Sequence, residues 1–65
     1  MYTVLGYTDT NIDNGCDVEI FRDTARLAKD CARYYLTSKE NTPIKRVLIR
    51  DKKNVCIFDK TRKGI

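Results

Sequence analysis

The sequence predicts an α+β domain with the element order β-β-α-β-β, in which a four-stranded antiparallel sheet carries one helix on one face. Four short segments rich in β-branched and aromatic residues, each bounded by turn-forming residues, predict the strands. One longer segment with helical periodicity divides them into two pairs. A chain of 65 residues has room for a single domain, 1–65. Two strand orders, 2-1-3-4 and 1-2-4-3, satisfy an all-antiparallel sheet, and both remain open.

The helix is predicted over residues 23–38, DTARLAKDCARYYLTS. At about 100° per residue one continuous arc is small or apolar and the opposite arc is mostly charged, which is typical of a helix with one buried face. The buried arc contains Thr24, Ala25, Ala28, Cys31, Ala32, Tyr35 and Leu36, with Leu27 and Tyr34 at its edge. Asp23 is the predicted N-cap, because its carboxylate can accept from the free N–H groups of the first turn. Pro43 prevents the helix from continuing past residues 39–43.

Strands are predicted over residues 2–8, 16–21, 44–50 and 55–59. Asn14 and Gly15 both tolerate positive φ, so they predict a type I′ hairpin turn between the first two strands. Asn54 can adopt the left-handed conformation in the turn between the last two. The final residues 60–65, KTRKGI, are predicted to be a frayed basic tail.

Composition argues against several classes of protein. No apolar run approaches the roughly 20 residues that span a bilayer. The N-terminus lacks the basic start and the long apolar stretch of a signal peptide, so no signal peptide is expected. Three widely spaced cysteines do not make a disulfide framework. We therefore expect reduced thiols in a cytoplasmic protein, at least two of them acting as small core residues. The small size, the odd number of cysteines and the single hairpin-helix-hairpin unit are typical of short orphan reading frames, including those of phages and mobile elements.

Alternation along the strands sorts the sheet into two faces. The face predicted to meet the helix contains Val4, Gly6, Cys16, Val18, Ile20, Val47, Ile49, Val55 and Ile57. The other face, called here the second face, contains Thr3, Leu5, Tyr7, Asp17, Glu19, Phe21, Arg46, Leu48, Arg50, Cys56 and Phe58. One helix covers only one face of a four-stranded sheet, so the second face is expected to expose more apolar area than a solvated face normally shows.

Three interpretations of the second face are open. Isolated exposed apolar side chains are ordinary on protein surfaces and need no function. Aromatic residues and arginine are also enriched at protein interfaces, which favours a protein partner, including a second copy of the chain. The predicted contact residues are Leu5, Tyr7, Phe21, Leu48 and Phe58, with Arg46 and Arg50 for polar specificity. Leu27 and Tyr34, one heptad apart at the helix edge, could extend that surface.

Single-stranded nucleic acid is the third interpretation. The net charge of +4 is uneven, because residues 1–38 carry a balance of −2 and residues 39–65 a balance of +6. Aromatics on an open sheet face can stack bases while basic side chains meet phosphate. The candidate basic residues are Arg46, Arg50, Lys52, Lys53, Lys60, Arg62 and Lys63. Asp17 and Glu19 on the same face would repel a phosphate backbone.

The candidate metal sites are weak, and no cofactor is expected. Asp9, Asn11 and Asp13 resemble the start of an EF-hand calcium loop, but the glycine comes one place late and Ile20 stands where the bidentate Glu belongs. A three-cysteine zinc site lacks histidine and a close cysteine pair. Without histidine a nucleophilic cysteine also lacks its usual base, and the glycines are isolated. We therefore expect a non-catalytic binding domain.

Overall fold

A computed structural model of the chain describes residues 1–9, 15–38 and 43–62. The elements are β1 (Tyr2–Tyr7), β2 (Val18–Arg22), α1 (Ala25–Thr37), β3 (Arg46–Arg50) and β4 (Cys56–Thr61). The strands form one antiparallel sheet in the order β2-β1-β3-β4. The predicted fold class is confirmed, and the first of the two strand orders is the one adopted. No helix in these ranges is long and apolar enough to cross a bilayer.

β1 lies at the centre of the sheet and fixes its register. Val4 pairs with Ile20 of β2 on one side and with Ile49 of β3 on the other. All three side chains are apolar and lie on the helix face, as their alternation predicts. Regular pairing on both sides of β1 therefore builds an unbroken apolar floor beneath the helix.

The N-cap of the helix lies one residue later than predicted. Thr24 is the N-cap, with extended backbone and its Oγ1 accepting a hydrogen bond from Leu27 N at 3.2 Å. The prediction of Asp23 is therefore wrong, and the shorter hydroxyl of Thr24 satisfies the first turn instead. Ala28 and Ala32 are completely buried against the sheet, as the apolar arc predicts. Their small size lets the helix backbone lie close to the strands.

The main core lies between the helix and the sheet. Its buried members are Val4, Ala28, Ala32, Ile44, Val47 and Ile49. Each large aliphatic side chain buried there contributes about 1.5–3 kcal/mol to folding. A partly buried ring of residues surrounds them, namely Tyr2, Val18, Ile20, Cys31, Tyr35, Leu36 and Phe58. The absence of a side chain at Gly6 leaves room for close packing here, because an added Cβ would lie 3.3 Å from Val18 Cβ and 3.4 Å from Ile44 Cγ2.

A bulge in β4 overturns part of the predicted face assignment. The pairing shifts between Ile49 and Arg50, so that Phe58 lies opposite Ile49 and Cys56 opposite Arg50. Phe58 therefore packs on the helix side of the sheet, and its prediction as a second-face contact residue is wrong. Ile57, the extra residue, is 40% exposed instead of lying in the core. A single inserted residue inverts the alternation beyond it, which sequence periodicity does not reveal.

Two of the predicted core thiols and Val55 are also exposed. Cys16 and Cys56 lie on the surface, and only Cys31 is partly buried. The expectation of two core cysteines is therefore wrong. Val55 is 53% exposed, because it precedes β4 and has no strand residue opposite it.

The C-terminal residues 60–62 belong to the fold, so the predicted frayed tail is wrong there. β4 runs to Thr61, and Arg62 N continues the pairing by donating to Lys45 O at 2.7 Å. The Arg62 guanidinium donates to three carbonyl oxygens, those of Ile44 (3.0 Å), Ser38 (3.1 Å) and Tyr35. These contacts satisfy carbonyls at the end of α1 and tie the helix to the sheet. Residues 63–65 lie outside the described ranges.

The turn between β3 and β4 is held by its own polar side chains. Asp51 Oδ1 accepts from the backbone N–H groups of Lys53 (2.8 Å) and Val55 (3.0 Å). Asn54 has φ of 65°, the left-handed conformation predicted for it. In the other hairpin Gly15 has φ of 84°, and the predicted turn residue Asn14 lies outside the described ranges.

Candidate protein-binding surface

The second face contains a small buried cluster in place of the exposed apolar patch that was expected. Leu5, Tyr7 and Leu48 retain only 8, 5 and 2% of their accessible surface. Leu5 and Leu48 are direct partners across β1 and β3. The expectation that these three side chains offer open contact area is wrong, because they are packed as a second, smaller core.

An ion pair across β3 and β4 borders this cluster. Arg46 Nε lies 2.8 Å from Asp59 Oδ1, and Arg46 Nη2 lies 2.5 Å from Asp59 Oδ2. This bidentate contact lowers the pKa of Asp59 and raises that of Arg46. The Arg46 charge is thus neutralised within the chain, which leaves less of it to attract an external anion.

Arg50 lies at the other end of β3, paired with Thr3 of β1. Its Nη1 is 3.4 Å from Asn54 Oδ1, while its Nε is buried without a hydrogen-bond partner in the described part of the chain. Burial raises the pKa of Tyr7, and the charges of Arg50 and Arg46 oppose that rise. The charges of both predicted arginines therefore act on Tyr7, and neither side chain stands apart as a free contact residue.

Phe21 is the one predicted apolar contact residue on the second face with an open side chain. It is 54% exposed and lies in β2, where it pairs with Thr3 of β1. β2 is the edge strand on this side of the sheet. The Phe21 ring therefore lies beside a strand edge and not at the centre of the face.

Leu27 and Tyr34 are exposed on the helix flank that faces β2. They are 49% and 52% exposed, and they lie four residues before and three residues after Cys31, on the same side of α1. α1 packs against β1, β3 and, less extensively, β2. Cys31 is partly buried on this side of the helix, near enough to Arg22 of β2 for the arginine charge to oppose the rise that burial causes in the thiol pKa, so this flank is the one nearer β2. The predicted extension of the contact surface by this pair thus lies at the β2 edge.

Together these features define a candidate surface, called here the β2 edge surface. It consists of the outer edge of β2 with Phe21 on one side of the sheet and Leu27 and Tyr34 on the other. β2 pairs with β1 over all five of its residues without a register shift. No other strand in the described ranges pairs with it, so its outward N–H and C=O groups face away from the sheet.

The basic residues predicted for nucleic-acid binding are not gathered in one place. Lys52 and Lys53 are exposed in the β3–β4 turn, beside an open cavity of about 280 Å³ that is also lined by Met1, Tyr2 and Asp51. Lys60 lies near the opposite end of β4, paired with Val47. The Arg62 guanidinium is engaged with carbonyl groups, and Lys63 lies outside the described ranges.

The weak metal-site alternatives gain no support from the described residues. Among residues 1–9, 15–38 and 43–62, no three cysteine, aspartate or glutamate side chains are grouped to hold a metal ion. All three cysteines are described, and they are not part of any such group. For the calcium hypothesis, Asn11 and Asp13 fall outside these ranges.

Comparisons of this chain with protein-family models, with curated proteins and with solved structures gave no match. The functional argument therefore rests on the surface itself.

Proposed function

We propose that this chain is a non-catalytic binding domain that engages a protein partner by accepting an extended strand at β2. One observation carries the proposal, namely that exposed apolar side chains flank, on both sides of the sheet, a regular strand edge with which no other described strand pairs. Strand addition supplies main-chain hydrogen bonds to the outward groups of an edge strand. The side chains above and below that edge then determine which sequence fits.

The flanking residues suit an incoming strand on both of its faces. Side chains of an added strand alternate between the two faces of the sheet. On the second face they would meet the ring of Phe21, and on the helix face they would meet Leu27 and Tyr34. Aromatic residues are enriched among binding hot spots, where truncation costs about 2 kcal/mol or more.

This surface keeps part of the predicted contact set and moves its centre. Phe21 remains, whereas Leu5, Tyr7 and Leu48 are buried and Phe58 lies on the helix side. We place the interaction in the cytoplasm, because the three cysteines are unpaired and disulfides are usual in small secreted domains.

Single-stranded nucleic acid is the second candidate partner, and one observation favours it. Phe21 lies in the same row of the sheet as Arg50, with Thr3 between them, so a stacked base and a bound phosphate would be within reach of each other. Glu19 lies next to Phe21 on that face and weakens this interpretation by repelling phosphate.

Peptide selection tests the proposal directly. Extended peptides are selected from a display library on the immobilised protein, and hydrogen exchange is recorded with a selected peptide bound. We expect added protection in β2 and none in β4. The change Phe21→Asp is expected to weaken binding at least about tenfold, the usual consequence of losing a hot spot. Val55→Asp is the matched control, because Val55 is 53% exposed and Phe21 54%.

Two results would contradict strand addition at β2. One is protection of β4 by the selected peptides. The other is equal loss of binding in the Phe21 and Val55 variants. Filter binding of a single-stranded oligonucleotide at two salt concentrations tests the second candidate, because phosphate contacts weaken steeply as salt rises.

A further inference from the structure

We infer that the strand accepted by β2 is β2 of a second copy of this chain, paired antiparallel with Ile20 on the twofold axis. The inference rests on the proposed function above and names its partner. A twofold axis perpendicular to the sheet makes the two β2 strands antiparallel and keeps both helices on the same face. The result is an eight-stranded sheet in which the α1 flanks of the two copies face each other across the axis.

The charges in and next to β2 disfavour two of the three central registers. A pairing centred on Glu19 places the two Glu19 carboxylates directly opposite each other. A pairing centred on Phe21 places Glu19 opposite Asp23 of the other copy, and symmetry repeats that contact. Like charges directly opposite in an antiparallel pair are destabilising. Both registers therefore carry acidic repulsion at the interface.

The register centred on Ile20 has no such conflict within the strand. Glu19 lies opposite Phe21 of the second copy, and Val18 lies opposite Arg22, each twice by symmetry. Asp17 and Asp23 come opposite each other only at the ends, outside β2. The Asp17 carboxylate is turned back to its own chain, where Thr8 N and Thr8 Oγ1 both donate to it at 2.8 Å.

The area required explains why the flanks matter as well as the edge. A stable interface buries about 800 Å² on each partner, which is roughly a sixth of the 4500 Å² surface of this chain. A five-residue strand edge is too narrow to supply that area. Phe21 on one side and Leu27 with Tyr34 on the other broaden it with exposed apolar side chains, so the contact covers both faces of the sheet.

Sedimentation velocity over a concentration series tests the inference on the whole chain. We expect a dimer that dissociates on dilution. Phe21→Asp and Leu27→Asp are each expected to raise the dissociation constant at least about tenfold, while Val55→Asp leaves it unchanged. Phe21 and Leu27 lie on opposite sides of the sheet, so the pair remains informative if one variant unfolds. Circular dichroism checks that each variant is folded.

A charge reversal at one position tests the register. Val18→Glu places a carboxylate opposite Arg22 of the second copy, whereas Val18→Lys places an ammonium there. Both variants lose the same packing of Val18, so their difference reports the cross-strand pair. Two symmetry-related pairs, each contributing about 0.2–1 kcal/mol, predict a dissociation constant about twofold to thirtyfold lower for the Glu variant. Equal constants would overturn the register centred on Ile20.

The outcomes separate this inference from the proposed function. A chain that stays monomeric at all concentrations overturns self-pairing, while binding of selected peptides at β2 would still support strand addition. A dimer that Val55→Asp disrupts and Phe21→Asp does not would place the contact elsewhere and overturn self-pairing at β2, while the peptide experiment would still decide strand addition. A dimer disrupted by the two β2-edge variants and sensitive to the Val18 charge supports both.

Discussion

β2 and β4 are both edge strands of the same sheet, but only β2 keeps a regular register along its whole length. β4 carries a bulge at Ile57 and a lysine at position 60, both of which hinder edge-to-edge pairing. β2 has neither bulge nor lysine nor proline. The comparison indicates that one edge of this small sheet is protected against association and that the other is left open to it.

The two edges also differ in how they are fastened to the rest of the domain. The end of β4 is anchored by Arg62, whose guanidinium binds carbonyl groups of α1 and of the residue Ile44. No side chain of β2 is fully buried, and Glu19, Phe21 and Arg22 are exposed. Residues in β4 should therefore affect folding, whereas residues exposed in β2 should affect association.

Arg62→Ala gives the largest effect expected on the β4 side. The change removes a charged donor from three backbone carbonyls, so we expect the free energy of unfolding to fall by about 3 kcal/mol. Chemical denaturation monitored by circular dichroism measures it. Lys60→Ala is the control, because Lys60 is exposed and its removal should stay within about 0.5 kcal/mol. Equal effects of the two variants would show that the hydrogen bonds of the Arg62 guanidinium contribute no specific stability.

The two phenylalanines give the next largest expected effect, and they compare the contributions of the β4 and β2 edges to folding and to association. Phe58 is packed against the main core and Phe21 is exposed. Phe58→Ala should lower the free energy of unfolding by about 2 kcal/mol, less than a fully buried phenylalanine because Phe58 is only partly covered. Phe21→Ala should leave it within about 0.5 kcal/mol while weakening association. Denaturation and sedimentation of both variants measure this division, and the reverse pattern would remove the distinction between the edges.

The helix and the strand pattern were predictable because each follows from a local period. Within the predicted arc Ala28 and Ala32 are buried, and Cys31, Tyr35 and Leu36 pack partly buried around the core, whereas Thr24 is exposed. The alternation in β1 and β3 likewise placed Val4 and Ile49 beneath the helix. Of the two strand orders that alternation allows, the structure adopts the one with β1 at the centre. Periodicity within one strand does not determine which other strand lies beside it.

The candidate site was predictable only in part, because it depends on burial and not on face alone. Leu48 was assigned to the correct face, yet it is buried there with Leu5 and Tyr7. Phe58 was assigned to the wrong face because the bulge at Ile57 shifts the alternation. Phe21, Leu27 and Tyr34 were all named as candidate contacts, but their meeting at one strand edge requires the tertiary arrangement.

Arg62 shows the other limit of sequence inference. A basic residue near the chain end suggested a solvated tail or a phosphate contact. The side chain instead binds carbonyl groups that are remote in sequence, up to 27 residues away. The sequence shows that the charge is present, but it cannot indicate that its partners are the unsatisfied carbonyls at a helix end.

The two hairpins each hold a carboxylate whose pKa is lowered, and the causes differ. On the β4 side, hydrogen bonds from the Arg46 guanidinium lower the pKa of Asp59, and the arginine charge adds to the effect. On the β2 side, hydrogen bonds from the backbone and hydroxyl of Thr8 lower the pKa of Asp17. Both carboxylates therefore favour the folded state when ionised.

The smallest expected effect is the pH and salt dependence of this stabilisation. Because the folded-state pKa of Asp59 is depressed, its contribution is present above the pKa of an unfolded-state aspartate and is lost as pH falls through the lower folded-state value. Asp59→Asn removes it and leaves that of Asp17. Wild type should therefore lose more stability than Asp59→Asn during acid titration at low salt. Added salt should shrink that difference, because the Arg46 partner is charged and Asp59 is partly exposed to solvent. Denaturation midpoints of both proteins across acidic pH at two salt concentrations measure this difference. If both proteins lose the same stability as pH falls, the ion pair contributes no net stability.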